Sequence, residues 1–290
     1  MTIADIFAQS ALPRLETEIF VSFLLQKNRE FLLTHPETPI NKATHKKFLI
    51  LSRKRQDNWP VAYLTGQKEF YGLKFKVTPA VLVPRPETEM MVEEIIDIVK
   101  KDKQQHVTST IVDIGTGSGA IIIAVVSELK KLKNDIFKNS EFKASDISAP
   151  ALKVAKQNAI KHKLSSKIKF YRGNLLQAFK FKQNQLNKKH LIIAANLPYL
   201  TSTQINKSPG INHEPRLALD GSKQGFKYYR ELFKQLKELN LNEVKISLIC
   251  EIDPSQNISG QKIAKLYFPT ANIISKKDLR KKYRFLVISI

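Results

Sequence analysis

Apolar residues in the first part of the chain recur every three or four positions, as at Ile19, Phe20, Phe23 and Leu24 and again from Lys27 to Leu33. This is the spacing of helices that bury one face. Pro36 and Pro39 break the pattern once. The stretch Lys42 to Arg55 then reads as a further helix, stopping before Asn58, Trp59 and Pro60. A small helical domain is therefore predicted over residues 1–58. From Glu69 to Val83 β-favouring apolar and aromatic residues flank Gly72, which predicts a hairpin, and residues 59–85 read as a hairpin linker.

Beyond Glu87 the period changes repeatedly. Strand-like runs are predicted at Thr110 to Ile114, Glu141 to Ser145, Lys167 to Tyr171, Leu191 to Ala195, Lys245 to Cys250 and Tyr283 to Ile290. Helical patterns fall at Ala120 to Leu132, Pro150 to Lys161 and Phe226 to Leu239. Strands alternating with helices predict a doubly wound α/β domain over residues 86–290. Asn134 to Ser140 and Lys180 to Lys189 are Lys- and Asn-rich and read as polar loops.

A length of 290 residues suits two domains. The longest apolar runs, Ile121 to Val126 and Leu191 to Ala195, are far shorter than the roughly 18 residues a spanning helix needs. Asp5, Glu16 and Glu18 lie among the first apolar residues, unlike a signal or transit peptide, so a cytoplasmic protein without membrane contact is expected. The single cysteine, Cys250, sits in an apolar run and reads as a core thiol of a reduced compartment. No cluster with metal-ligand spacing is present, so no metal is expected. Forty-eight Lys and Arg against 26 Asp and Glu give a net charge of +22. That charge suits weak, salt-sensitive, non-specific contact with RNA or the ribosome, and equally suits lysines scattered over solvated helix faces.

The chemistry is concentrated at strand ends. Asp113-Ile114-Gly115-Thr116-Gly117-Ser118-Gly119-Ala120 runs from a strand through glycines into a helix. Glycine lacks a Cβ and tolerates unusual dihedrals, so a nucleotide-like ligand can lie against such a turn. The loop alone does not separate nicotinamide cofactors from S-adenosylmethionine. Asp113, two positions before the first glycine, makes it resemble the cofactor loop of class I methyltransferases. Asp146 follows the next strand, where a carboxylate can accept both hydroxyls of a ribose. Ser148, just before Pro150, is the better cap for the following helix. Asn174 and Leu175 follow the third strand and would border an adenine, or form an ordinary turn after Gly173. The fourth strand ends in Asn196-Leu197-Pro198-Tyr199. An amide or aromatic amino nitrogen is a poor nucleophile because its lone pair is delocalised. The Asn196 side-chain oxygen and the Leu197 carbonyl can accept its N–H bonds and orient that lone pair. Pro198 fixes the turn, and Tyr199 can pack on a planar substrate.

With Pro60 to Gly66, Glu69 to Gly72, Val83 to Glu89 and His213 to Gly221 added, the chain resembles the HemK/PrmC family of peptide chain release factor glutamine methyltransferases nearly end to end. The resemblance implies a class I, Rossmann-like methyltransferase domain with a seven-stranded, mostly parallel sheet behind a helical substrate-recognition domain. It implies S-adenosylmethionine as cofactor, a class I release factor as partner and a monomer. The target it implies is the side-chain amide of the glutamine in the Gly-Gly-Gln loop. It assigns Gly115, Thr116, Gly117, Ser118, Gly119, Asp146, Asn174, Leu175 and Asn196 to the cofactor. Asn196, Leu197, Pro198 and Tyr199 are assigned to the reacting amide. Arg85, Glu87, Thr88, Glu214 and Arg216 are placed at the pocket mouth, where Pro86, Glu87 and Glu89 also make a good helix start.

The sequence departs from the family pattern in three places. Leu197 replaces the first proline of Asn-Pro-Pro-Tyr, a form that resembles ribosomal RNA adenine dimethyltransferases and is expected to loosen the turn. Asn174 stands where Asp is usual, and Asp253 where Gly is common. The rival readings are an adenine amino-group methyltransferase acting on RNA and a non-catalytic, S-adenosylmethionine-sensing RNA-binding protein. The basic run from Lys276 to Lys282 suits the latter, or is simply an exposed turn before the last strand.

Overall fold

The computed structural model describes residues 1–290 except 105–106, 133–134, 180, 182–188, 240 and 242–243. The chain divides into two compact units, Met1–Gln67 with Ser208–His213 and Lys68–Lys207 with Glu214–Ile290.

The first unit contains helices α1 (Ile3–Gln9), α2 (Arg14–Leu25), α3 (Arg29–Thr34), α4 (Lys42–Gln56) and α5 (Val61–Thr65). Polar caps start three of them: Thr2 in a capping box with Asp5, Asn28 and Asn41. The periodicity read through Lys27 to Leu33 is interrupted because Gln26 adopts φ 54°, a left-handed cap that ends α2. Ile3, Ile6, Phe20, Val21, Leu32 and Phe48 form the core. Buried Glu18 receives Arg14 at 2.9 Å and Arg29 at 2.7 Å, tying α2 to the start of α3.

The hairpin is β1 (Gln67–Phe70) and β2 (Leu73–Lys76), turned at Tyr71 and Gly72 with φ of 51° and 68°. Both strands are shorter than the predicted stretch, and residues 77–83 continue without a partner strand. A single 3₁₀ turn, Pro86–Thr88, leads into α6 (Glu89–Gln104). The remaining elements are β3 (Thr108–Ile114), α7 (Ala120–Lys131), α8 (Asp135–Asn139), β4 (Glu141–Asp146), α9 (Ala149–Lys161), β5 (Ile168–Arg172), β6 (Lys189–Ala195), α10 (Ser202–Asn206), α11 (Lys227–Glu238), β7 (Lys245–Glu251), α12 (Asn257–Tyr267), β8 (Asn272–Lys277) and β9 (Tyr283–Ser289). Asn134 to Ser140, read as a loop, contains α8, whose Phe137 packs 6.0 Å from Phe142. Within the other predicted loop, residues 180 and 182–188 lie outside the described residues. α12 and β8 were not anticipated. The Lys276–Lys277 pair ends β8, and only the residues after it form the turn.

The large sheet has strand order β5-β4-β3-β6-β7-β9-β8, with β9 antiparallel to both neighbours and the other pairings parallel. Alternate residues of each central strand serve opposite faces. Ile111, Ile192 and Ala194 pack with α6 and α7, whereas Val112, Ile193 and Ala195 pack with α11 and α12. Chain order reverses between β3 and β6, so the loops leaving those strands diverge. Their carboxyl ends then border a crevice suited to a ligand. Among the described residues no helix is long and apolar enough to cross a membrane.

Candidate active site

That crevice is a cleft enclosing about 1180 Å³, its open mouth included, lined by the ends of β3, β4, β5 and β6. The glycine turn forms its floor. Gly115, Gly117 and Gly119 have φ of 70°, 54° and 80°, a region costly for any residue with a Cβ. A Cβ on Gly115 would sit 3.1 Å from Leu197 Cδ2, closer than ordinary contact, so the missing atom leaves room for the Asn196–Tyr199 segment against the turn. Asp113 lies beneath the loop and does not line the cleft. It accepts the Thr116 hydroxyl at 2.6 Å, and burial raises its carboxyl to about 7.

Asp146 ends β4 at the cleft wall. Its oxygens accept the N–H of Gly117 at 2.9 Å and of Ser148 at 2.8 Å, and each retains a second lone pair for an external hydroxyl. Burial raises its carboxyl above the usual range despite those N–H donors. The cap of α9 is Ser148, accepting from Ala151 N–H at 3.2 Å, which leaves Asp146 to the cleft. Asn174, Leu175 and Ile147 complete this wall. Leu175 holds φ 51°, an uncommon state for a side-chain-bearing residue. The turn that follows is fixed by Gln235 of α11, which accepts from Leu176 N–H at 2.9 Å. The donor set and the apolar wall fit a nucleoside cofactor.

The Asn196–Tyr199 segment is tightly held. Buried Tyr229 of α11 accepts the Leu197 N–H at 3.3 Å and shares its one hydroxyl proton between the carbonyls of Ala195, at 3.1 Å, and Glu251. A proline at 197 would have no N–H to satisfy, so the expected loosening by leucine is offset by an added acceptor. Leu197 is 3% exposed and packs in the core under the turn. Asn196 Nδ2 donates to Thr88 Oγ1 at 3.1 Å, and Thr88 donates to Glu251 Oε2 at 2.6 Å. Tyr199 donates its hydroxyl to Glu251 Oε1 at 3.0 Å. Burial raises the Glu251 carboxyl, opposed by these two hydroxyls and by the charge of Arg284. Burial, then the Glu251 charge, lifts the Tyr199 phenol well above its usual value. No described residue donates to Asn196 Oδ1 or to the Leu197 carbonyl.

Asp253 also finds an account. It caps the Pro254–Gln256 turn in a reciprocal box with Gln256, whose Nε2 in turn donates to the Tyr199 carbonyl at 2.8 Å. Its φ of −68° makes no demand for glycine.

Of the predicted site residues, Gly115, Thr116, Gly117, Ser118, Asp146, Asn174, Leu175, Asn196, Leu197, Pro198, Arg85 and Thr88 line the cleft. Gly119 stands just behind, capping α7 where its missing Cβ lets Ile123 and Ala155 approach. Glu214 is buried and supports the wall from outside, accepting from Arg85 at 2.5 Å and from Val83 N–H at 3.1 Å. Glu87, Arg216 and Tyr199 are not in the lining. Glu87 faces Arg284 at 4.0 Å, Arg216 pairs with Asp220 at 3.4 Å, and Tyr199 is drawn inward by Glu251. His213 stacks on Trp59 at 4.4 Å and bonds the Asp57 carbonyl within the first unit.

Tyr228 and Phe70 are aromatic residues of the cleft lining, and sequence reasoning, which offered Tyr199, placed neither of them there. Asn158 was missed as well. Fully buried, it exchanges bonds of 2.7 and 3.0 Å with the Lys76 backbone and donates to the Ser118 carbonyl at 2.8 Å, joining hairpin and glycine turn.

The model of the PrmC N-terminal domain matches residues 2–66, and a methyltransferase-domain model matches residues 105–250. Among curated proteins, a release factor glutamine methyltransferase from Coxiella burnetii is 32% identical, over 96% of this chain and 92% of the relative. One from Dictyoglomus turgidum is 34% identical over 91% and 86%. The solved hMettl16 catalytic domain in complex with the MAT2A 3'UTR hairpin 6 superposes with a TM-score of 0.54 at 14% identity, over 92% of this chain and 91% of that one, a likeness of fold alone. With its class I methyltransferase sheet and these relatives, the chain belongs to the release factor glutamine methyltransferase family.

Proposed function

We propose that the chain transfers a methyl group from S-adenosylmethionine to the side-chain amide nitrogen of the glutamine in the Gly-Gly-Gln loop of class I peptide chain release factors. The observation that carries this reading is the pair of acceptors, Asn196 Oδ1 and the Leu197 carbonyl, standing beside the glycine turn without donors among the described residues. When bound, S-adenosylmethionine supplies an electrophilic sulfonium methyl. Gly115 to Gly119 hold it by close backbone approach, Asp146 takes the ribose hydroxyls, and Asn174, Leu175 and Ile147 border the adenine. Asn196 Oδ1 and the Leu197 carbonyl accept the two N–H bonds of the glutamine amide. That aims the nitrogen lone pair at the methyl and favours a pyramidal nitrogen in the transition state. Tyr228, rather than Tyr199, offers a ring face at the cleft, with Arg85 at the mouth.

Residues 1–58 serve release-factor recognition, 59–85 the linker and 86–290 the transfer. The protein acts as a cytoplasmic monomer, and its +22 charge supports weak RNA or ribosome contact. The rival RNA adenine methyltransferase shares the acceptor pair, but the curated relatives do not favour it. Incubation with labelled S-adenosylmethionine, release factor and ribosomal RNA in parallel, with the methyl located by mass spectrometry, tests the reading. A methyl on the Gly-Gly-Gln glutamine is expected, and label confined to RNA overturns it.

A further inference from the structure

An asparagine amide has two similar edges, and only one of them accepts hydrogen bonds. Catalysis as proposed above requires Asn196 to present Oδ1 to the cleft, and nothing within the Asn196–Tyr199 segment itself dictates this. The dictating group lies outside it. Thr88, 3% exposed, has a single hydroxyl proton and gives it to Glu251 Oε2 at 2.6 Å. Its remaining lone pairs can only accept, so the edge of Asn196 facing it at 3.1 Å must be the NH₂. Glu251, 2% exposed, is in turn committed as an acceptor on its other oxygen by the Tyr199 hydroxyl at 3.0 Å.

We propose that Glu251 is a positioning residue whose carboxylate, through Thr88, fixes the direction of this hydrogen-bond chain and so locks Asn196 with Oδ1 toward the methyl-accepting nitrogen. Glu251 touches neither cofactor nor substrate; it acts by polarity. A neutral amide in its place can donate to Thr88, turning the Thr88 hydroxyl toward Asn196 and bringing Oδ1 round with it. The acceptor is then withdrawn from the cleft, and an N–H faces the substrate amide. This rests on the proposed use of Asn196 as acceptor.

The test uses the full chain with three substitutions: Glu251→Gln, Thr88→Val, which is isosteric but has no hydroxyl, and Thr88→Ser, which restores it. The first readout is nuclear magnetic resonance of the Asn196 side-chain NH₂ in the ligand-free protein. One proton should be shifted and slow to exchange with water in the wild type and in Thr88→Ser. It should exchange at least tenfold faster in Thr88→Val and Glu251→Gln. The second readout is turnover. A kcat lowered ten- to a hundredfold is expected for Thr88→Val and Glu251→Gln, with KM and S-adenosylhomocysteine affinity changed no more than about threefold, and Thr88→Ser is expected to recover most of the kcat that Thr88→Val loses. A general packing defect would lower all of these together and would not be rescued by serine. Wild-type amide exchange and wild-type kcat in both Thr88→Val and Glu251→Gln would overturn the proposal while leaving glutamine methylation intact. The predicted exchange pattern in a protein that methylates no glutamine would sustain the proposal and sink the function. If Glu251→Gln fails to fold, the Thr88 pair decides alone.

Discussion

Tyr229→Phe tests whether Leu197 is tolerated because its N–H has an acceptor. The substitution removes one hydroxyl and keeps the ring, which is 1% exposed and packed against Phe226 and Phe233. Two losses follow. The Leu197 N–H loses its acceptor, and stranding a buried donor costs about 1–3 kcal/mol. At 3.3 Å the bond is longer than most, which places its loss near 1–2 kcal/mol. The Ala195 and Glu251 carbonyls also lose the one proton they share, for roughly another 1 kcal/mol because a carbonyl has a second lone pair to satisfy elsewhere. In a Leu197→Pro background the first loss cannot occur, and only the second remains. Denaturant melts of the wild type, both single variants and the double variant close a thermodynamic cycle. Tyr229→Phe should cost about 2–3 kcal/mol with leucine at 197 and about 1 kcal/mol with proline, a coupling of 1–2 kcal/mol. Equal costs in the two backgrounds, within about 0.5 kcal/mol, would refute the account.

Gly115→Ala forces a Cβ into φ 70° and against Leu197; calorimetry should show S-adenosylhomocysteine binding weakened at least tenfold. Asp113 holds its proton up to about pH 7 when folded, against 3.8 when exposed. The native state thus binds the extra proton, and stability falls as pH rises from about 4 to 7 by up to about 1.4 kcal/mol per unit. Asp113→Asn should remove that slope, and parallel pH profiles for variant and wild type would exclude it. Asp102→Ala strands buried Ser109 and His190 and releases half-exposed Lys245, which bond it at 3.1, 2.7 and 3.1 Å beneath β3, β6 and β7; a loss of about 3 kcal/mol is expected in urea melts. Burial raises the Asp102 carboxyl, but His190 and Lys245 outweigh it and hold it below the usual range. The wild type should therefore lose this contribution only under acid conditions, as pH drops below that range.

Much of the cleft was legible because its parts are local. A strand ending in Asp113 and turning through Gly115, Gly117 and Gly119 has few other uses, and a doubly wound sheet brings the ends of consecutive strands to one edge. Among the elements that were missed, β8 lacks the signal of a core strand. β8 alternates exposed and half-buried positions and ends on lysines, as suits an edge strand rather than a core one. Where Tyr199 points was not legible for a different reason. A tyrosine after Asn-x-Pro can turn either way, and the choice was made by Glu251, 52 residues on, which captured its hydroxyl and kept it out of the cleft lining.

The same distinction governs the departures from the family pattern. Replacing the first proline of Asn-Pro-Pro-Tyr by leucine adds a hydrogen-bond donor at a buried turn, so its effect depends on whether an acceptor is within reach. Nothing adjacent in sequence supplies one. The acceptor is a hydroxyl 32 residues away on α11, brought over the turn by the crossing of that helix behind β6 and β7. Asp253 behaves alike, since its carboxylate starts the turn that carries Gln256 to the Tyr199 carbonyl. Both departures therefore add polar groups whose partners brace the backbone that bears Asn196. Read one residue at a time they look like weakened motifs; satisfied in the fold, they hold the two acceptors at the cleft by side-chain bonds.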